Sequence, residues 1–419
     1  MSANLDEVWF LTSELESERA SSFRQERWCR IFLEAGARLR LFNLRGAFHY
    51  SDEICTNDAE LTAFRKNGVA NYKGPKTSVR EGLLVSVLRL IKHWLLVDLY
   101  LPNVIKLFLH LDRLLRQRSA PVVIMASSPP FSTALVGALI KRRHPGKVVL
   151  AIDMRDAWAL HESLGGFKPL KRALERKVLG CADTVTTVSM GLADGFRQQY
   201  GLETGVMYNV ATHYLDVPPA ERMDLRQVHP AIDPSRITLV YTGSAPEDFY
   251  DSASIMGAYR RLRQEQPELA ARLQMIFIGA CVAVERDARD HGIATPDVIF
   301  VSHLPHAVAR SVQATASALI FLGYRGPNNG GVVSTKLFEY LCLGQPVLPF
   351  DLCKDSDVDQ LLWRYCGTSI NAHGVEATLA LFKRVAQEGT GFLPRLDDAQ
   401  RVRELVDEYR AHAKKLLAG

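Results

Sequence analysis

Most of the features that assign a function at a glance are missing from this chain. Its seven cysteines, at positions 29, 55, 181, 281, 342, 353 and 366, are odd in number and include no C-x-x-C pair. That excludes a self-contained disulfide framework and a thiolate zinc site, and fits thiols kept reduced in a cytoplasm. No apolar run approaches the roughly 18 to 20 residues that span a bilayer. The acidic start, MSANLDEVWFLTSELE, moves straight into a strand-like run, so no signal peptide is expected. A net charge of +5 is mild for 419 residues, and no basic segment is interleaved with aromatics. Nucleic acid is therefore not an expected partner, whereas an anionic substrate or membrane surface is compatible. There is no G-x-S-x-G, and Ser127-Ser128 before two prolines reads as a loop, not a nucleophile elbow. Internal repeats and low-complexity tracts are absent too.

What is present has the balance of an ordinary globular protein, with 47% hydrophobic and 23% charged residues, and the length argues for two domains. Short β-branched runs alternate with longer amphipathic stretches, the pattern of parallel-sheet α/β domains. Strands are expected at 8–12, 38–43, 122–127, 148–152 and 184–188, then at 237–242, 274–278, 298–301, 317–322 and 346–350. Helical periodicity fills most gaps, for instance 253–264 and 374–387. A weakly patterned segment at about 213–234, with Pro218-Pro219 and His229-Pro230, reads as a linker. The expected fold is α/β with two Rossmann-like domains, 1–215 and 235–395, facing a cleft. A last helix, within 396–419, aligns Val402, Leu405, Val406, Tyr409 and Leu416 on one face and is expected to pack back across the junction.

One stretch poses a chemical question. Residues 328–348 read NNGGVVSTKLFEYLCLGQPVL. A buried strand ending at Leu322 runs into a glycine-bearing loop; Ser334 and Thr335 suit an N-cap, Gly344 a C′ position. Lys336 thus sits in a first helical turn, where the dipole disfavours a cation by some tenths of a kcal/mol. An anion on the same helix end removes the conflict, and a strand–loop–helix N-terminus is suited to phosphate. Glu339, three residues on, shares that face and can accept from two ribose hydroxyls, while Leu337, Tyr340 and Leu341 turn inward. Spacing alone equally allows a surface Lys–Glu pair.

The run S-T-K-L-F-E-Y-L-C-L-G-Q-P-V-L resembles the donor-binding segment of GT-B glycosyltransferases, especially the large retaining group that includes bacterial polysaccharide and lipopolysaccharide transferases. VIMASSPP from Val123, DMRDAW from Asp153, CADTVTTVSMGLADGFRQQYG from Cys181, Tyr208-Asn209 and Tyr241-Thr242-Gly243-Ser244 follow the family in the same order, from about residue 90 onward. The resemblance implies that Glu339 binds the ribose of a nucleotide diphosphate sugar. Gly243, Ser244, Asn328, Asn329, Gly330, Gly331, Ser334, Thr335 and Lys336 would hold its diphosphate and sugar. Arg155 and Asp156 would lie on the acceptor side, with Asp156 and His161 near the reacting centre; an ordinary strand-end ion pair is the competing reading for Arg155 and Asp156. Two departures stand out. Gly331 occupies the place of a glutamate that often contacts the transferred sugar, and Pro246, Glu247 and Asp248 follow the Gly243 turn where a basic residue is common.

The expectation is a hexosyltransferase-type enzyme that moves a sugar to a glycan or lipid-linked acceptor in cell-surface polysaccharide or glycolipid synthesis, with retention. No cofactor and no metal are expected. Asp357-Val-Asp359 is read as the start of a solvated helix, and His303 with His306 lacks a third ligand. The leucine-rich, basic segment 83–115 reads either as two core helices broken near Pro102 or as a surface that docks on anionic lipid at the inner face of the membrane. An epimerase of the same fold, or a degenerate homologue that only binds, is the alternative.

Overall fold

A computed structural model describes residues 5–13, 15, 20–44, 54–71, 98, 100–159, 168–210, 221–246, 249–326, 331–397 and 402–418. The expected contacts His161, Asn328, Asn329 and Gly330, and residues 83–97 of the leucine-rich segment, lie outside them. The chain divides into two compact units, Met1–Asn209 with Leu405–Gly419, and Val210–Glu404.

In the first unit β1 (Glu7–Thr12), β2 (Arg38–Asn43), β3 (Ile54–Cys55), β4 (Val122–Ser128), β5 (Val148–Met154), β6 (Thr184–Thr187) and β7 (Gly205–Val206) form one sheet, ordered β3-β2-β1-β4-β5-β6-β7. Only the β2–β3 pairing is antiparallel. The helices are α1 (Ala20–Glu34), α2 (Asp58–Asn71), α3 (Leu101–Arg116), α4 (Phe131–Arg143), α5 (Lys168–Leu179) and α6 (Met190–Tyr200). Strands β1 and β4 are buried at every residue, which is why they read as continuous apolar runs rather than alternating ones.

The second unit holds β8 (Ile237–Thr242), β9 (Leu273–Ile278), β10 (Val298–Val301), β11 (Ala318–Leu322) and β12 (Val347–Phe350) in the parallel order β10-β9-β8-β11-β12. Its helices are α7 (Ser252–Glu265), α8 (Pro267–Ala270), α9 (Val282–Asp290), α10 (His306–Thr315), α11 (Thr335–Leu343), α12 (Asp357–Cys366) and α13 (Gly374–Glu388). Leu239, Tyr241, Tyr259, Met275, Phe277 and Phe382 centre its core. Residues of the expected linker pack on this unit: the Met223 N–H donates to Thr315 Oγ1 (3.0 Å), and buried Gln274 accepts from the Asp233 N–H (3.1 Å) and donates to its carbonyl (2.6 Å).

The final helix, α14 (Arg403–Leu417), joins the first unit from Leu405. The Leu5 N–H donates to the Leu417 carbonyl (2.9 Å), and Tyr409 packs on Trp28 with ring centroids 4.7 Å apart. Beneath it lies a fully buried ion pair. Arg24 Nε and Nη2 donate to the Asp153 carboxylate at 2.8 and 2.5 Å, and Nη1 donates to Met207 O and Tyr409 Oη. Burial pushes the Asp153 carboxyl up, but Arg24 and Thr186 outweigh it and hold it below the usual range. Removing either partner of such a pair would leave an uncompensated buried charge.

All ten expected strands are present, each within two residues of its expected bounds. The two-residue strands β3 and β7 carry too few positions for any periodicity to register. Pro102 sits in the first turn of α3, where its missing N–H would have had no intrahelical partner; residues 83–97, the other half of the expected helix pair, lie outside the described residues. One expectation fails. The Asp357-Val-Asp359 turn is not solvated: Ser356 caps α12 by accepting from the Asp359 N–H (3.3 Å), Asp357 is 2% exposed, and Asp359 accepts from Ser369 Oγ (2.5 Å).

Candidate functional site

In the second unit, the chain winds from β8 through β9 to β10 in one direction and from β11 to β12 in the other. The order therefore reverses between β8 and β11, and the crevice beyond their carboxyl ends is where open α/β sheets take ligands. Gly243 leaves β8 there, and the loop from Gly323 to α11 leaves β11. Helix α11 starts where capping chemistry dictates: the Ser334 side chain accepts the Lys336 N–H (3.4 Å), and Gly344, at φ 62°, ends it. Leu337, Tyr340 and Leu341 are fully buried, which fixes the outward face.

Lys336 does not extend into solvent. Its ammonium donates to Tyr241 Oη (2.8 Å) and lies 4.5 Å from the centroid of the same ring. Tyr241 Oη in turn donates to the Ser244 carbonyl (2.8 Å), so one hydroxyl links the lysine to the Gly243 turn. Gly243 has φ 121°, a conformation that favours glycine, and Lys336 Cε and Nζ lie in the space a Cβ there would take. Burial lowers the Lys336 pKa to about 8, against the pull of Cys281 and Glu339. Cys281, whose thiol donates to the Gly243 carbonyl (3.5 Å), is pushed up to about 11, mainly by burial. Glu339 is 8% exposed and its Oε1 is 3.4 Å from His306 Nε2 on α10. The surface Lys–Glu pair is therefore not what forms: Lys336 turns under the glycine turn, and Glu339 turns to His306.

In the first unit, the loop leaving β5 is held firmly. The Arg155 N–H donates to the Ser128 carbonyl (2.7 Å), and its buried guanidinium donates to the Pro129 carbonyl. Trp158 stacks on Phe131 at 4.2 Å and 10°. Glu175, buried on α5, accepts from the Trp158 N–H (2.9 Å), the Ala159 N–H (3.3 Å) and Tyr200 Oη (2.6 Å); burial raises its pKa. Asp156 is left exposed.

Residues 69–207 match the family model of a glycosyl transferase 4-like domain. Similar solved structures span both units. TarM of S. aureus is 9% identical with a TM-score of 0.57, covering 98% of this chain and 95% of its own. The sucrose-phosphate synthase of Thermosynechococcus elongatus is 11% identical at 0.56, with 98% and 95% covered. The E. coli trehalose-6-phosphate structure with UDP-2-fluoro glucose bound is 8% identical at 0.55, with 98% and 96% covered. The chain has the GT-B fold. No curated protein matches it in sequence.

Within this GT-B chain, Gly243, Ser244, Ser334, Thr335, Lys336 and Glu339 gather around the β8–β11 crevice, with Gly331 on the loop between. Arg155 and Asp156 belong to the other unit and are not an ion pair of their own: Arg155 braces the proline turn. Among the described residues, no three His, Cys, Asp or Glu side chains gather as a metal site. Sequence reading missed Tyr241, His306 as the partner of Glu339, and Glu175. Tyr241 did carry a signal, as a hydroxylated ring two residues before the glycine turn.

Proposed function

We propose that this GT-B protein transfers a sugar from a nucleotide diphosphate sugar to a glycan or lipid-linked acceptor, with retention of configuration. The observation that carries the reading is Lys336: a half-buried cation that, among the described residues, hydrogen-bonds to a neutral hydroxyl and is set against a glycine turn at a topological switch. A diphosphate there would meet the ammonium, the first-turn amides of α11 and the Gly243 main chain. The basic residue missing after Gly243 is thereby replaced from another element, since Lys336 reaches the same turn. Glu339 would accept from the ribose hydroxyls. That a protein of the same fold is seen with UDP-2-fluoro glucose supports this donor class.

Catalysis in this reading is positioning plus charge stabilisation. Negative charge grows on the departing nucleoside diphosphate, and Lys336 with the helix-end amides is placed to receive it, so no metal is required. Asp156, exposed on a loop that Glu175 immobilises, faces the acceptor, with His161 beside it in sequence. Attack on the face the nucleotide leaves gives retention without an obligatory general base.

Membrane contact and a role in cell-surface polysaccharide or glycolipid synthesis complete the proposal. Among the described residues no helix is long and apolar enough to cross a membrane. The outer stripe of α3, however, exposes Ile105 (67%) and Leu109 (58%) beside Lys106, Arg113 and Arg116, a pairing suited to anionic lipid at the cytoplasmic face. Gly331 favours one competing reading, a protein that binds donor without transferring it. Incubating the protein with nucleotide sugars, with and without glycan or lipid-linked acceptors, separates the possibilities. Nucleoside diphosphate released only with acceptor supports transfer; an epimerised sugar without release, or binding without either, overturns it.

A further inference from the structure

Helix α5 of the first unit carries more charge than its place in the fold requires. Its sequence, KPLKRALERKVL, sets Lys168, Lys171, Arg172, Arg176 and Lys177 against a single carboxylate, Glu175. Glu175 is buried, and its oxygens accept from two amides and Tyr200 Oη, so it pairs with none of those cations. Lys168, Arg172, Arg176 and Lys177 are exposed and make no ion pair among the described residues. The acidic groups that follow in the chain are engaged elsewhere: Asp183 by Lys141 (2.7 Å), and Asp194 and Glu203 by Arg197 (2.9 Å each).

Helix stability does not account for this arrangement. Arg176 and Lys177 suit the last turn, but Lys168 and Lys171 stand in the first, where the dipole disfavours cations and no acidic residue accompanies them. Lys168, Arg172 and Arg176 succeed one another at i,i+4, so like charges share one row of the surface and repel. At about 1.5 Å of rise per residue, the row presents a cation about every 6 Å over about 12 Å. A single small ion would satisfy one of these positions; a chain with an anionic group on successive units satisfies the row. The helix is also built onto the loop leaving β5. Glu175 holds the Trp158 and Ala159 amides, and Lys171 Nζ lies 5.5 Å from the centroid of the Trp158 ring. The row therefore adjoins the loop that carries Asp156. It differs from the outer stripe of α3, which exposes Ile105 and Leu109 together, because the one large apolar side chain exposed on α5 is Leu170. A face that is polar along most of its length suits a hydrated polyanion better than lipid tails.

We propose that the outer face of α5 binds an anionic glycan, a chain carrying carboxylate or phosphate groups along its length, and that such a chain is the acceptor. The acceptor role rests on the transferase reading above; the binding itself does not. Lys168, Arg172 and Arg176 meet successive anionic groups, and Lys171 with Trp158 marks the end of the row nearest the Asp156 loop.

The experiment measures binding of polygalacturonate, dextran phosphate and neutral dextran to the full chain and to two triple variants. One removes the row (Lys168→Gln, Arg172→Gln, Arg176→Gln); the other removes as much charge from exposed arginines of the second unit (Arg260→Gln, Arg272→Gln, Arg289→Gln). The parent binds at least one of the anionic glycans and not dextran, and added salt weakens the binding. The α5 triple binds that glycan about tenfold more weakly, the loss expected when three exposed charge contacts go. It melts at the parent's temperature or above, because repulsion along the row is relieved. The second-unit triple binds like the parent. Parent-like binding by the α5 triple overturns the proposal, as does equal weakening in both triples or a parent that binds neither anionic glycan. So does flotation with phosphatidylglycerol vesicles that the α5 triple loses while it keeps its glycan binding, since the row is then a lipid contact. Melting with nucleoside diphosphates on the same proteins keeps the two readings apart. A parent that a diphosphate stabilises but that binds no anionic glycan keeps its donor site and loses this proposal. Glycan binding that depends on the row in a protein that no diphosphate stabilises supports the surface and overturns its role as an acceptor site.

Discussion

Replacing Lys336 by methionine should make the protein worse at using its donor and no less stable. The two effects have opposite signs because the site keeps a cation where the empty fold does not want one. Burial brings the Lys336 pKa from an ordinary 10.5 down to about 8, which corresponds to roughly 3 kcal/mol of cost for keeping the charge in the folded chain. The sign follows from proton counting. Below pH 8 both folded and unfolded chains are protonated and the full cost is present. Between about 8 and 10.5 the unfolded chain binds a proton that the folded chain has lost, so stability rises with pH. Methionine keeps the apolar stem beside Gly243 and removes the charge. At pH 7 the variant should melt at the parent's temperature or a few degrees above it, and its stability should no longer rise between pH 8 and 10.5. Donor use should fall because one charge-assisted contact, about 1.5 to 3 kcal/mol, is gone. That is on the order of ten- to a hundredfold in kcat/KM, with kcat itself reduced because the contact strengthens as the nucleotide leaves. Thermal melts across pH and steady-state release of nucleoside diphosphate read both halves. A Lys336→Met protein that is less stable yet transfers at the parent rate would show that the lysine serves the fold and not the donor.

Other consequences are quickly stated. A bound diphosphate should restore the ammonium, so at pH 8 donor binding takes up about half a proton and at pH 6 almost none; calorimetry in buffers of different ionisation enthalpy measures this, and pH-independent uptake contradicts it. Glu339→Gln keeps the shape and loses the charge, and should raise the donor KM about fivefold with kcat little changed; a fall confined to kcat would place Glu339 at the reacting centre instead. Activity should survive a chelator, and loss restored by manganese or magnesium would refute metal independence. Anionic vesicles should co-float the protein at low salt, and Ile105→Ser with Leu109→Ser should abolish that; flotation unchanged by the pair would place the contact elsewhere.

Much of this site could be read from residues alone, for local reasons. Ser334 and Gly344 announce the ends of α11, and Leu337, Tyr340 and Leu341 fix its buried face, so the outward direction of the first turn followed from spacing. What sits opposite that turn did not follow. The Lys336–Tyr241 contact joins residues 95 apart, and only the parallel pairing of β8 with β11 brings them together. The same holds for Arg24 and Asp153, 129 apart, and for Arg24 and Tyr409, 385 apart. Asp153 opens the DMRDAW motif, but its carboxylate is bound inside the core; Asp156, three residues on, is exposed. A motif marks a neighbourhood, and burial decides which of its members can meet a ligand.

The central claim is that the β8–β11 crevice holds a nucleoside diphosphate, and ligand-dependent melting tests it most directly. The protein would be heated alone, with UDP, ADP, GDP and dTDP, and with the matching unphosphorylated nucleosides. One diphosphate, at about 100 times its dissociation constant, should add roughly 2.7 kcal/mol of stability and raise the melting temperature, while its nucleoside does little. In Lys336→Met the same addition should shrink sharply. Melting temperatures that no diphosphate raises, or that rise equally in Lys336→Met, would contradict the account.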